Sequence, residues 1–250
     1  MGNPESIANI TQINLQDFYE KYYTPPNISI LALGGLETSD LLSFIEKNSF
    51  SVLKGGARVN LGEPILRFNP ITEKRITVKN SEISRVPTEV VRIDTYGVLP
   101  GNLDSLAIAI FKRTFYDVAF SELREKLSLT YGFTAKYSNY RQMFEFEIEG
   151  TLPSQMENDA EGLVEKCILE TKQREDLLEH NRWSMITRFK MQDSSGGEIL
   201  DNAESEICLY YRIFTNSEDI ERLKNFSLED IKKVGDFLLE RKLSLILSPD

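Results

Sequence analysis

The heptapeptide Phe144–Gly150, FEFEIEG, alternates without a break: Phe144, Phe146 and Ile148 fall on one side, and Glu145, Glu147 and Glu149 on the other. A side-chain period of two belongs to an extended strand, and this one has an apolar face and a solvated face. One wet face is tolerated by antiparallel sheets, whereas parallel sheets are covered on both sides. The preceding YGFTAKY places Tyr131, Phe133, Ala135 and Tyr137 on one face, and SNYRQ joins the two runs as a hairpin loop. The apolar face of such a hairpin must be covered by another layer.

The rest of the chain supplies that layer. Extended segments EKRITVK and TEVVRIDTY come first, and LPGN then leads into a long helical pattern from about Leu103 to Lys126. Asn102 is the expected cap there, with Asp104 in the first turn favourable to the helix dipole. After the hairpin, helical periodicity covers about Ser154–Lys172, Glu175–Met191, Gly197–Phe214, Glu218–Lys224 and Leu228–Glu240, and KLSLIL closes as a strand. Strands first and helices afterwards predict an α+β fold: a mainly antiparallel sheet with helices packed on one face.

The N-terminal end repeats the C-terminal one. Asn14–Tyr23 reads as a helix with Leu15, Phe18 and Tyr22 on one face, TPPN breaks it, and ISILAL follows as a buried strand ended by Gly34-Gly35. A further helix, TSDLLSFIEKN, has Thr38 or Ser39 as its expected cap. Leu15-Gln16-Asp17-Phe18 lines up with Leu228-Glu229-Asp230-Ile231, 213 residues on, and Asn27–Leu31 lines up with Lys242–Ile246. A helix–strand pair recurring at domain-sized spacing points to tandem homologous domains rather than a short solenoid repeat. Residues 1–48 then read as the tail of a preceding domain, 49–69 as a Gly- and Pro-containing linker, and 70–250 as a second domain.

Several functions are disfavoured by composition. The net charge of −10 and the scatter of Lys and Arg argue against nucleic acid. No segment is apolar enough to span a bilayer, and MGNPESIANI lacks the charged and apolar regions of a signal peptide. One histidine, His180, excludes a His-rich metal site within the chain. In DLLEH, Glu179 and His180 invite a metal reading, but a solvated helix face explains them better. The two cysteines, Cys167 and Cys208, sit among apolar neighbours in helical patterns and read as buried thiols.

The segment Ser121–Tyr131, SELREKLSLTY, holds an arginine at a helix end and a tyrosine at the start of the next strand. Taken alone, Arg124 suits the dipole at a helix C-terminus, and Tyr131 suits a core position with a satisfied hydroxyl. LREKLSLTY also resembles the Arg-Glu-Lys-x-Gly-Leu-Ala-Tyr signature in the second domains of the pitrilysin/insulinase (M16) family of zinc metallopeptidases, to which the mitochondrial processing peptidases belong. Arg124, Glu125, Lys126, Leu129 and Tyr131 match; Ser128 stands where the family has glycine, and Thr130 where it has alanine. GNPESIANITQINLQDFYEKYYTPPNISILALGGL is similar to the end of a domain of that family, and the repeat spacing agrees with its tandem domains.

The resemblance implies a LuxS/MPP-like metallohydrolase fold and a non-zinc, C-terminal domain. It implies that zinc lies in a missing N-terminal domain or partner carrying His-x-x-Glu-His, in cis or in trans, and that this chain alone holds none and cuts nothing. Arg124 and Tyr131 would bind the peptide substrate and complete the active site of that zinc-bearing domain, a phenol and a guanidinium being suitable donors to a polarised carbonyl. The alternative implied by the same family is a non-catalytic structural or interaction subunit of a heterodimer.

Overall fold

The computed structural model describes residues 4–48, 55–56, 75–79, 90–128, 133–140, 143–191, 196–210 and 212–248. The chain divides into two compact units, Met1–Leu66 with Ser194–Glu204, and Arg67–Asp193 with Ser205–Asp250.

The smaller unit contains helices α1 (Pro4–Ala8), α2 (Gln12–Tyr22) and α3 (Thr38–Lys47), with a 3-10 turn at Pro25–Asn27. Thr11 and Asn14 form a reciprocal capping box at the start of α2. Neither α2 nor α3 has a buried residue, and Leu15, Phe18, Leu42 and Phe44 are all more than half exposed. Two expectations are corrected here. The cap of α3 is Glu37, without a side-chain bond, rather than Thr38 or Ser39, because the helix begins at Thr38 itself. ISILAL is not a buried strand: residues 28–33 are in no strand, and Ile30, Leu31 and Leu33 are exposed. A strand exists only by pairing, and among the described residues nothing pairs with this one.

The larger unit carries strands β1 (Arg75–Lys79), β2 (Val90–Pro100), β3 (Phe133–Tyr140), β4 (Met143–Pro153) and β5 (Lys242–Ser248) in one sheet of order β1-β5-β2-β4-β3. Only β1 and β5 pair in parallel; the β5–β2, β2–β4 and β4–β3 ladders are antiparallel. Helices α4 (Ser105–Ala119), α5 (Ala160–Gln173), α6 (Glu175–Met191), α8 (Asn216–Asn225) and α9 (Leu228–Glu240) accompany the sheet; α7 (Gly196–Tyr210) has residues in both units. The fold is α+β, with a mainly antiparallel sheet whose apolar face is covered by helices.

Phe144, Phe146 and Ile148 are buried to within 1% of completely, as the alternation requires. Phe111 of α4 meets Phe146 edge-to-face with ring centroids 6.3 Å apart, a geometry that aromatic quadrupoles favour. Gly97 of β2 lets α9 approach: a Cβ there would lie 2.3 Å from Leu238 Cδ2. Buried Lys242 reaches up between Glu161 and Glu165 of α5, at 3.2 and 2.5 Å, which compensates its charge.

The long helical pattern begins later than expected. Asp104, not Asn102, is the N-cap of α4: its carboxylate accepts from the Leu106 amide at 2.9 Å. The same carboxylate accepts two bonds from Arg222 Nη2 of α8, both 2.8 Å, so the cap also ties two helices together.

Candidate functional site

The residues around Arg124 are shaped by an abrupt change of helix type. After Ala119 the chain continues without a break into a π-helical turn, Phe120–Lys126. π turns are rare and concentrate at functional positions, because the extra residue per turn re-aims the side chains that follow. Leu123 is buried and anchors the turn to the core. Glu122, also buried, is bonded by Lys126 Nζ and lies 3.6 Å from Lys166 Nζ of α5. The Lys126 bond and the charges of both lysines hold its carboxyl below the usual glutamate range.

Arg124 points outward and is exposed. Its guanidinium lies 4.9 Å from the centroid of Phe120. Among the described residues it has no carboxylate partner. Phe120 in turn lies 6.4 Å from Tyr116, and Arg113 sits 5.7 Å from the Tyr116 ring. Arg113, Tyr116, Phe120 and Arg124 therefore form a cation–aromatic ladder along one side of α4 and its π extension. The spacing of three and four residues was the available signal for this ladder, which sequence reasoning did not use.

The turn is closed by Ser128. Its φ is 53°, the one positive value among described non-glycine residues, and its amide donates to the Arg124 carbonyl at 3.1 Å. That bond is the left-handed C-terminal motif in which glycine is usual. Serine thus takes the conformation expected of the family's glycine. Tyr131 lies outside the described residues, as do positions 129, 130 and 132, so the structure places Arg124 alone of the expected pair.

The other candidates resolve into structure. Glu179 accepts from Arg182 at 2.5 Å, and His180 is exposed on α6. Asp176 is bonded by Arg174, which pulls its pKa down to about 2. Glu149 of the acidic stripe pairs with Arg92 at 2.8 Å and Lys136 at 3.1 Å. Cys167 is a free, buried thiol pushed up to about 12, chiefly by burial. The side chain of Cys208 lies outside the described residues. Among the described residues no three His, Cys, Asp or Glu groups gather as a metal site would need, and no helix is long and apolar enough to cross a membrane.

This arrangement, a helical layer over the apolar face of a sheet with an inserted Arg-bearing π turn, defines an α+β domain. Residues 9–180 match the family model described as Peptidase M16 inactive domain, and the chain belongs to that family. The family match spans parts of both units. The chain is 32% identical over 78 residues to the mitochondrial presequence protease of Debaryomyces hansenii, a stretch covering 31% of this chain and 7% of that protein. It is 28% identical over 79 residues to the probable zinc protease PqqL of Escherichia coli, covering 30% of this chain and 8% of that protein. The fold is similar, with a TM-score of 0.78 and 18% identity, to the crystal structure of a peptidase M16 inactive domain from Pseudomonas fluorescens, over all of this chain and 60% of that one. The matched stretches span less than a tenth of the length of the two curated relatives.

Proposed function

We propose that this chain is the non-catalytic, peptide-holding part of an M16-type zinc metallopeptidase, working beside a zinc-bearing domain of the same family in cis or in trans. The single observation that carries this reading is the mounting of Arg124. Its side chain is exposed and, among the described residues, has no carboxylate partner, yet its backbone is fixed on both sides, by the Glu122–lysine contacts and by Ser128. A guanidinium held in this way is ready to donate to a backbone carbonyl or a carboxylate of a bound peptide without first breaking an ion pair. Tyr131, three residues beyond Ser128, is assigned the second donor on the strength of the family signature.

In this reading the zinc domain polarises the scissile carbonyl and supplies the activated water. The part of this chain is to fix the peptide and to place donors in advance where negative charge develops. The exposed apolar side chains of α2 and α3 support a second element of the proposal: the smaller unit packs against a further domain or subunit of the same assembly, since apolar surface of this extent is normally covered. The test is cleavage of an extended peptide by the assembly of this chain with its zinc-bearing partner, with Arg124→Ala and Tyr131→Phe as variants. Turnover unchanged in both would overturn the substrate role and favour a purely structural subunit.

A further inference from the structure

A groove of about 810 Å³ opens in the larger unit between α4, β3 and α6. Its charge is the opposite of the molecule's. The whole chain carries −10, yet the groove is lined by Lys112, Arg113, Lys136 and Arg188 and by no carboxylate. Two of the four cations are compensated nearby, Arg113 by Asp117 at 3.6 Å and Lys136 by Glu149. Asp117 is further occupied by Asn181, whose amide donates to it at 2.9 Å. Among the described residues Lys112 and Arg188 have no carboxylate partner. Lys112 rests 5.4 Å from the Tyr137 ring and is held below the usual lysine range by burial and by the charges of Arg113 and Arg188. Such a cluster repels itself until an anion enters.

The groove has a second property. Four consecutive residues of β3, Thr134 to Tyr137, line it, so it runs along the strand rather than over one of its faces. Among the described strands β3 is the sheet edge, paired only with β4. Alternate N–H and C=O groups of an edge strand face away from its neighbour and can pair with an added extended chain. Cations beside a strand edge that no other described strand covers suit a polypeptide with carboxylate side chains. A nucleic acid would offer its phosphates but nothing to match the strand.

We propose that this groove is a peptide-docking site that takes an extended, acidic polypeptide segment along β3, its carboxylates meeting Lys112 and Arg188. Arg124 is not among the residues that line the groove, though Arg113 and Tyr116 belong to both the groove and the ladder that leads to it. The proposal rests on the reading of the chain as a peptide-holding unit and adds the charge of what is held.

The test is fluorescence anisotropy of a labelled Glu/Asp-rich peptide titrated with the whole chain. Saturable binding that weakens with added salt is expected, with a Gln/Asn peptide of equal length binding weakly. The pair Lys112→Glu/Arg188→Glu should weaken binding by roughly tenfold or more, and the milder Lys112→Gln/Arg188→Gln should act in the same direction. Lys224→Glu, an exposed change on α8 outside the groove, should leave binding unaltered. Absence of binding, equal binding by both groove variants and the parent, or tighter binding of a single-stranded oligonucleotide would each overturn the proposal. These outcomes are independent of cleavage: loss of turnover in Arg124→Ala without acidic-peptide binding removes the groove and keeps the proposed function, and the converse does the reverse.

Discussion

The Ser128 amide donates to the Arg124 carbonyl at 3.1 Å while Ser128 itself sits at φ 53°. The residue that positions the arginine is therefore a serine in the left-handed conformation, which L-residues adopt at a cost. Left-handed backbone costs a residue with a Cβ on the order of 1 kcal/mol, whereas glycine adopts it freely. Part of that gain is returned by glycine's larger entropy loss on folding. Ser128→Gly is expected to stabilise the chain by about 0.5 kcal/mol, and Ser128→Val to destabilise it by more than about 1 kcal/mol. Urea midpoints measure both; a Val variant as stable as the parent would show that the turn is not held left-handed.

Arg124 should be required in its own right. Losing one preorganised donor typically costs on the order of 10²–10³ in rate. Arg124→Ala in the assembly is expected to lower kcat/KM by about that factor. Arg124→Lys should recover only part of it, since a point charge does not reproduce the planar fork. Steady-state kinetics on a fixed peptide compare the three proteins.

Acid should loosen the π turn. The Glu122 carboxyl is depressed in the folded state by its Lys126 bond and by the charges of Lys126 and Lys166. A depressed carboxyl contributes stability that is present above its unfolded pKa and is lost as pH falls through the folded one. The window therefore lies below the ordinary glutamate value of 4.5. Denaturation midpoints measured downward from pH 6 should fall more steeply for the parent than for Glu122→Gln. Parallel curves would remove Glu122 from the acid response.

Gly150 is a packing position. It sits opposite Phe133 in the β3–β4 ladder, and a Cβ there would lie 2.6 Å from Cδ1 and Cε1 of that ring. Gly150→Ala is expected to cost about 1–3 kcal/mol, because the ring must leave a well-packed place. Chemical denaturation gives the value directly, and a change near zero would mean that the ring swings aside freely.

What could be foreseen from the residues follows from how local each signal is. The alternation in FEFEIEG placed the inner and outer faces of β4 because a two-residue period has one structural meaning, and Phe144, Phe146 and Ile148 are buried accordingly. The helical patterns of α5, α6 and α9 were legible for the same reason at period 3.6. The π turn was not: seven residues are too few to display a longer period, and SELREK reads equally well as an ordinary last helical turn. Asp104 was read as a first-turn residue rather than a cap, since Asn102 and Asp104 are both good capping types and the choice depends on Arg222 from a distant helix. ISILAL reads as a strand on composition alone, but pairing is supplied by other parts of a protein, and among the described residues no strand pairs with residues 28–33. At the site, Arg124 stood out through its neighbours in sequence, whereas its stacking on Phe120, four residues before it, was present in the helical spacing and was not read.

The place of β5 in the sheet bears on how the protein is made. Lys242–Ser248, the last of the five described strands in chain order, lies between β1 and β2. Among the described strands β1 pairs only with β5, so until β5 is made β1 has no described partner and one side of β2 stays open, while β2, β4 and β3 can already pair. A chain that lacks residues 242–248 would therefore carry an unfilled gap between β1 and β2, so the two ends of the larger unit must meet before its sheet is continuous.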